Sequence, residues 1–178
     1  MGRGPVLGVA AAVTIAVTVT IAVAVAPTTA RSGGDDRRAG PILEFDAMAT
    51  VTEPFTGSAH PIRGLSGGGL PWQIDRGRGE LGSDGRLEIT VRGLVLARRD
   101  PVPPAMQGTN PVAQFRGAVN CLTPAAPDTG ETVLTDPVAT TPEGNARIEA
   151  RLTLPDPCIA PLVFVTSPAN AWFATTGR

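Results

Sequence analysis

The stretch Gly64-Leu65-Ser66-Gly67-Gly68 sets a serine between glycines in the G-x-S-x-G pattern that presents a nucleophile on a sharp elbow. That chemistry requires a strand before the serine, a helix after it, and a general base later in the chain to accept the hydroxyl proton. Here Gly69-Leu70-Pro71-Trp72 follows and leads into a strand, and the single histidine, His60, lies upstream. The segment therefore reads as a glycine-rich connection. It also lacks the Gly-Lys-Ser/Thr ending of a phosphate-cradling loop, so no nucleotide site is expected. His60 precedes Pro61 and reads as a surface loop residue, with Glu53 its nearest acidic neighbour in sequence. One histidine without a cysteine or carboxylate cluster at ligand spacing does not assemble a zinc site. Neither a metal nor any other cofactor is expected.

Carboxylates are the remaining candidates for chemistry. A glycoside-type mechanism needs two of them flanking one bond, and strands can gather acids that are distant in sequence. Glu44, Asp46, Glu88 and Glu149, however, fall on the polar side of alternating segments, where a solvated charge is the ordinary outcome. No catalytic residue is assigned, and a carboxylate-dependent extracellular hydrolase stands as the alternative to a non-enzymatic role.

Cys121 and Cys158 are the two cysteines of the chain. An even count in an exported protein reads first as a disulfide, with two buried free thiols or part of a metal site as the other readings. Closing a loop of this size stabilises by about 4 kcal/mol in the chain-entropy account.

Export is expected from residues 1–30. Arg3 and the amino terminus give a short positive start, an uncharged apolar run extends from Pro5 to Ala26, and Thr28-Thr29-Ala30 offers small residues before a cut. Pro27 disfavours cleavage after Ala26, which leaves Ala30 as the expected cleavage position. The run is long enough to cross ~30 Å of hydrocarbon as a helix, and an uncleaved anchor is the alternative. It is rich in Val, Ala and Thr and holds a single Leu, which favours the cleaved signal. A secreted or cell-surface location follows, with membrane attachment only if the signal is retained. No cysteine follows the apolar run for lipid attachment, and no twin arginine precedes it.

All 15 basic residues are arginine, against 16 acidic ones, and the signs are interspersed along the 178-residue chain. No long basic stripe is present in the sequence, so nucleic acid is not an expected partner. The length allows one domain.

The elements that must carry these side chains are strands. Residues 31–40 show no periodicity and read as a flexible tether, so the single domain is expected to span 41–178. Leu43, Phe45, Ala47, Ala49 and Val51 alternate against Glu44, Asp46 and Thr50. Leu87, Ile89, Val91, Gly93 and Val95 alternate against Glu88, Thr90 and Arg92, and the residues from Ala146 to Leu154 do the same most regularly. Trp72 and Ile74 begin a face that changes parity before Leu81, which predicts a bulge at Gly77 and Gly79. Gly82-Ser83-Asp84-Gly85 reads as a hairpin turn. Ala113, Phe115, Val119 and Cys121 share another face, and residues 132–139 are expected to return beside it. Residues 159–166 read as a buried central strand with Pro161 at its edge or at a bulge, followed by a turn at Ser167-Pro168-Ala169-Asn170. An up-down-up layout from Cys121 onward brings the two cysteines to one end of one sheet. Glycine and proline are too frequent for long helices.

About eight strands joined by short turns predict an all-β fold, an antiparallel β-sandwich, with a small closed β-barrel as the alternative. The connection 97–111 is longer than a sandwich needs, and its prolines predict an extended, pre-ordered loop. Within it Arg98, Arg99, Asp100, Met106, Gln107 and Asn110 are the candidate recognition residues, set against a plain solvated crossover. Trp72 and Trp172 read as core anchors before groove linings.

Gly68-Gly69-Leu70-Pro71-Trp72, Asn120-Cys121, the run Pro157-Cys158-Ile159-Ala160-Pro161 with Val163-Phe164-Val165-Thr166-Ser167-Pro168, and Trp172-Phe173 together resemble an uncharacterised group of small secreted actinobacterial proteins. The likeness runs from Ile42 to Gly177. It implies an exported, disulfide-bearing domain and carries over no activity. The expected function is a secreted or envelope-associated domain that binds a protein or cell-wall component, or else a signal-anchored structural surface protein.

Overall fold

The computed structural model describes residues 40–177 together with Met1, Gly2 and Gly4. The expected signal segment, its cleavage after Ala30, and the tether as far as Ala39 lie outside the described residues.

Most of the alternating sequence becomes strand: β1 (Pro41–Phe45), β2 (Ala49–Thr50), β3 (Trp72–Gln73), β4 (Arg76–Gly82), β5 (Arg86–Arg92), β6 (Val95–Leu96), β7 (Gln114–Thr123), β8 (Ala126–Leu134), β9 (Val138–Ala139), β10 (Ala146–Arg151), β11 (Ile159–Thr166) and β12 (Trp172–Thr175). Eight of these hold four or more residues, and the other four are two-residue pairings. One sheet has the order β1-β4-β5-β10, a second the order β2-β12-β11-β7-β8 with β9 also on β7, and β3 pairs with β6. Every pairing between these strands is antiparallel. The two large sheets face each other: a Cβ on Gly117 of β7 would lie 3.2 Å from both Ile89 Cδ1 and Leu87 Cδ2 of β5. No sheet closes on itself, so the architecture is the antiparallel β-sandwich and not the barrel.

Leu81, Leu87, Ile89, Val91 and Ile148 of the first sheet are buried against Phe115, Val119 and Val163 of the second. Trp72 stacks on Phe173 with ring centroids 4.0 Å apart, and Phe115 meets both rings. Trp172 packs at 6.2 Å against Phe164. Both tryptophans are core anchors, as the sequence suggests.

Several expectations change in detail. The alternation from Leu43 to Val51 is not one strand. At Asp46-Ala47-Met48 the chain turns a corner, with Met48 buried and Ala47 exposed, so that β1 joins the first sheet and β2 the second. The parity change after Ile74 is likewise a passage between sheets at Asp75, and β4 pairs with β5 in unbroken register from Arg76 to Leu81. No bulge occurs at Gly77 or Gly79. These glycines are inward-facing gaps: a Cβ on Gly77 would lie 2.7 Å from Met48 Cγ, and one on Gly79 2.8 Å from Phe45 Cζ. The return strand beside β7 begins earlier than expected, at Ala126, and breaks at Thr135 before β9. Strand β11 is central, between β12 and β7, and its register shifts between Ile159 and Leu162 around Pro161.

Cys121 and Cys158 are bonded, with Cα atoms 4.8 Å apart. The route differs from the up-down-up layout, because β10 belongs to the opposite sheet and Cys158 instead opens β11, hydrogen-bonded directly to β7. The bond fastens two neighbouring strands of one sheet across a sequence separation of 37. Replacing both cysteines by serine is expected to lower stability by about 3–4 kcal/mol, read as a lower urea midpoint with little change in slope. An unchanged midpoint refutes this assignment of the bond's role.

Candidate functional site

The connection 97–111 is folded rather than extended. Val102 N–H donates to Arg99 O, Met106 N–H to Pro103 O and Thr109 N–H to Met106 O, which makes a succession of tight turns. Gly108 N–H and Thr109 O tie the loop to Leu96, and Val102 is buried beneath it. Proline fixes φ near −65°, which suits turns as well as extended chain, and the apolar Val102 decides between them by entering the core. Gln107 Nε2 donates to Val102 O at 3.0 Å. Asn110 Nδ2 donates to Thr140 Oγ1 at 2.7 Å and Thr141 O at 3.0 Å, and its Oδ1 accepts from Val112 N–H. These two amides brace the loop from within. Arg98, Arg99, Asp100 and Met106 are exposed, Arg99 lying 3.5 Å from Glu53 in a surface pair. Screened by water, such a pair contributes little.

The glycine-rich connection has a different task from the one its motif hints at. Ser66 O accepts from Trp172 N–H, Gly68 N–H donates to Trp172 O, and Ile62 and Leu65 exchange backbone hydrogen bonds. Residues 66–68 therefore lie along β12 at Trp172, and the next element is β3, a strand, so no nucleophile elbow forms. His60 is exposed. Arg63 reaches from this connection across the second sheet: its Nη1 donates to Ala160 O at 2.7 Å and lies 3.3 Å from Asn120 Oδ1. Burial pushes the Arg63 guanidinium below its ordinary pKa. Asn120 is fully buried in β7, and its Nδ2 donates to Thr129 O and Thr132 Oγ1, both at 2.9 Å. Over Asn120, the outer face of the second sheet is thus covered by the protein's own chain.

The outer face of the first sheet is open, and its register arranges charge in rows. Glu44 pairs with Glu80, Glu80 with Glu88, and Glu88 with Glu149, so four glutamates cross the sheet in one line. On one side Arg86 lies opposite Arg151. On the other Arg78 and Arg147 both lie opposite Thr90, and Arg76 lies opposite Arg92. The glutamates at the β5–β10 side are neutralised. Arg86 Nη2 is 2.7 Å from Glu88 Oε1, Arg147 is 3.8 Å from Glu88 Oε2 and also pairs with Glu149, and Arg151 pairs with Asp84. The hydrogen bond from Arg86 holds the Glu88 carboxyl below the ordinary glutamate range. This is the wrong direction for a general acid, and Glu44, Glu80 and Glu149 of the row are exposed to water.

Among the described residues, no group of three or more His, Cys, Asp or Glu side chains could hold a metal ion. Grooves flank the sandwich at its disulfide end and beside the second sheet. One of about 650 Å³ at the disulfide end is lined by Ile42, Asp84, Arg151, Leu152, Leu154 and Cys158 among others. One of about 520 Å³ beside the covered face runs between Arg63-Gly64-Leu65-Ser66, Thr129-Gly130 and Asn170. The loop residues nominated from sequence line neither groove, and the rows of the open sheet were missed. A signal for part of them existed: the hairpin at 82–85 alone sets Arg76 against Arg92 and Glu80 against Glu88, once β4 is read without a bulge.

Arg63→Ala is expected to cost about 1–2 kcal/mol and to speed proteolysis within 57–66 while leaving the rest protected; equal protection in both proteins refutes the clamp. Glu88→Gln provides a check by pH. A carboxyl lowered in the folded state adds stability above its ordinary pKa and loses it as pH falls through the lowered value. The wild type should therefore exceed the variant at neutral pH by a small, salt-sensitive margin that closes on acidification below the ordinary glutamate range. A margin that widens in acid overturns the sign. Compared with protein-family models, curated proteins and solved structures, the chain matches none.

Proposed function

We propose that this chain is an exported, non-enzymatic domain of the secreted or cell-envelope type that binds a protein or wall component through the open face of its first sheet. The observation that carries the reading is the asymmetry of the sandwich. The second sheet carries the connection 57–68 against Trp172 and, through Arg63, over Asn120 and Ala160, whereas the first presents rows of arginine and glutamate to water. A rigid sheet with fixed side-chain spacing suits recognition, because little conformational freedom is lost on docking. The disulfide supports an oxidising compartment. Among the described residues no helix is long and apolar enough to cross a membrane, so the domain itself supplies no helical anchor. The resemblance to small secreted proteins points the same way.

The test combines location with contact. Culture medium and cell fractions are separated, the mature amino terminus is sequenced, and a photo-crosslinking residue is placed at Glu80 on the open face or at Ser58 beside the covered one. A terminus beginning after Ala30, with a discrete adduct from position 80 and none from position 58, is the expected result. Retention of the whole chain in the cytoplasm, or identical adducts from both positions, overturns the proposal.

A further inference from the structure

One end of the open face differs from the rest. Arg86, Arg147 and Arg151 each meet a carboxylate, as a solvated sheet surface ordinarily arranges its charges. Arg76, Arg78 and Arg92 have no ion-pair partner among the described residues. Arg76 and Arg92 are nevertheless direct cross-strand neighbours, and Arg78 stands two residues along on the same face. Like charges opposite one another in a ladder repel. Asp75, the acid next to Arg76 in the chain, lies against Gly93, where a Cβ would come 2.5 Å from its Cγ. Three guanidinium groups share one place without an ion-pair partner among the described residues.

They also enclose space. Arg76, Arg78, Thr90 and Arg92 line a concavity of about 170 Å³, room for roughly five waters and enough for a tetrahedral oxyanion. Guanidinium is a planar fork that matches two oxygens of such an anion at once, and Thr90 adds a hydroxyl donor at the floor. A single carboxylate would leave most of this charge unmatched, whereas a phosphate group offers several oxygens to the three forks. The glutamate row one step further along the strands repels a second negative charge and limits the anion to this end. Past Thr90 and Arg92 the surface continues as a groove of about 570 Å³ whose other walls include Ala139, Asn145, Ala146 and Arg147. Its lining is polar and carries no carboxylate, which suits a hydroxylated moiety attached to the phosphate.

We infer that Arg76, Arg78, Arg92 and Thr90 form a binding site for the phosphate group of a polyol or sugar phosphate ester, with the hydroxylated part lying toward Arg147. The inference rests on the reading of the open face as the binding surface and names the chemistry of its ligand. Free inorganic phosphate shares that chemistry, and the ester is distinguished by its use of the second groove.

The test is titration of the full chain, followed by NMR of the arginine side chains and by calorimetry, with inorganic phosphate, glycerol 1-phosphate, glycerol, acetate and a short single-stranded DNA as separate probes. Glycerol 1-phosphate is expected to saturate with a Kd on the order of 1 mM or tighter, to bind more tightly than inorganic phosphate, and to shift Arg76, Arg78 and Arg92 but not Arg86. Both affinities should fall with added salt. The exposed double substitution Arg76→Ala with Arg92→Ala should weaken binding by about tenfold or more, and the Arg76→Lys, Arg92→Lys pair, which keeps charge but not the fork, should fall between. Inorganic phosphate binding as well as the ester removes the polyol assignment. Acetate binding equally well, no saturation by either phosphate probe, or full binding by the double alanine variant overturns the site. Tighter binding of the DNA shows a nucleic-acid surface instead and also overturns it. The wild-type chain is titrated and crosslinked at position 80 in parallel: adducts with no saturation by either phosphate probe sink this inference alone, and saturable phosphate binding without any adduct sinks the partner-binding reading alone.

Discussion

Strand β7 has water on neither side, and a strand so placed must have every polar group satisfied from within the protein. Its residues from Gly117 to Cys121 are all buried, with Phe115, Val119 and Cys121 facing the first sheet and Ala118 and Asn120 turned the other way. Leaving Asn120 unpaired there would cost about 1–3 kcal/mol. Its amide is met by Thr129 and Thr132 of β8, and its oxygen lies within reach of Arg63 from the glycine-rich connection. The same arginine ties the connection to Ala160 at the bulge of β11. The covering segment is thus a consequence of a central strand that carries a polar residue on its second face.

That arrangement makes the two halves of the sandwich unlike. The second sheet is buried on both sides along β7 and β11, fastened by the disulfide, and closed over by chain. The first sheet is buried on one side only, and its other side is free to carry function. The corner at Asp46–Met48 moves the chain from the first sheet to the second, that at Asp75 moves it from the β3–β6 pair into the first, and Gly77 and Gly79 lie against Met48 and Phe45 beside those corners. The charge rows exist because the pairing of β4, β5 and β10 is unbroken through this region. A single bulge would shift each arginine to another row and disperse the unmatched cluster.

Chemistry suggested by short motifs fails here for reasons that are geometric. Ser66 lies in a connection hydrogen-bonded to β12 and followed by a strand, so the strand-to-helix elbow that presents a nucleophile is not formed. Gln107 and Asn110 turn inward to brace their own loop. Polar residues in a proline-rich loop suit recognition and loop closure equally well by sequence, and only the neighbours they meet tell which task they perform.

Strict alternation over residues 87–91 and 146–154 determined the strand class and the buried faces, because a period of two can bury one side of a strand and no helix can use it. Two cysteines admit one pairing, and a four-residue glycine-bounded turn fixes the register of β4 against β5. Those features are local, or leave a single choice. The assignment of β10 to the first sheet, the break of residues 43–51 into two strands on different sheets, and the cover over β7 are contacts between segments far apart in the chain, and alternation is the same whichever sheet a strand joins. Charges interspersed along the sequence show no basic stripe, and the cluster emerges once β4 and β5 are paired across the 82–85 turn. The hairpin register alone gathers Arg76, Arg78 and Arg92 around Thr90, whereas the arrival of β10, which brings Arg147 and Asn145 beside that cluster, is decided by the tertiary structure because it depends on which distant strand stands next to β5.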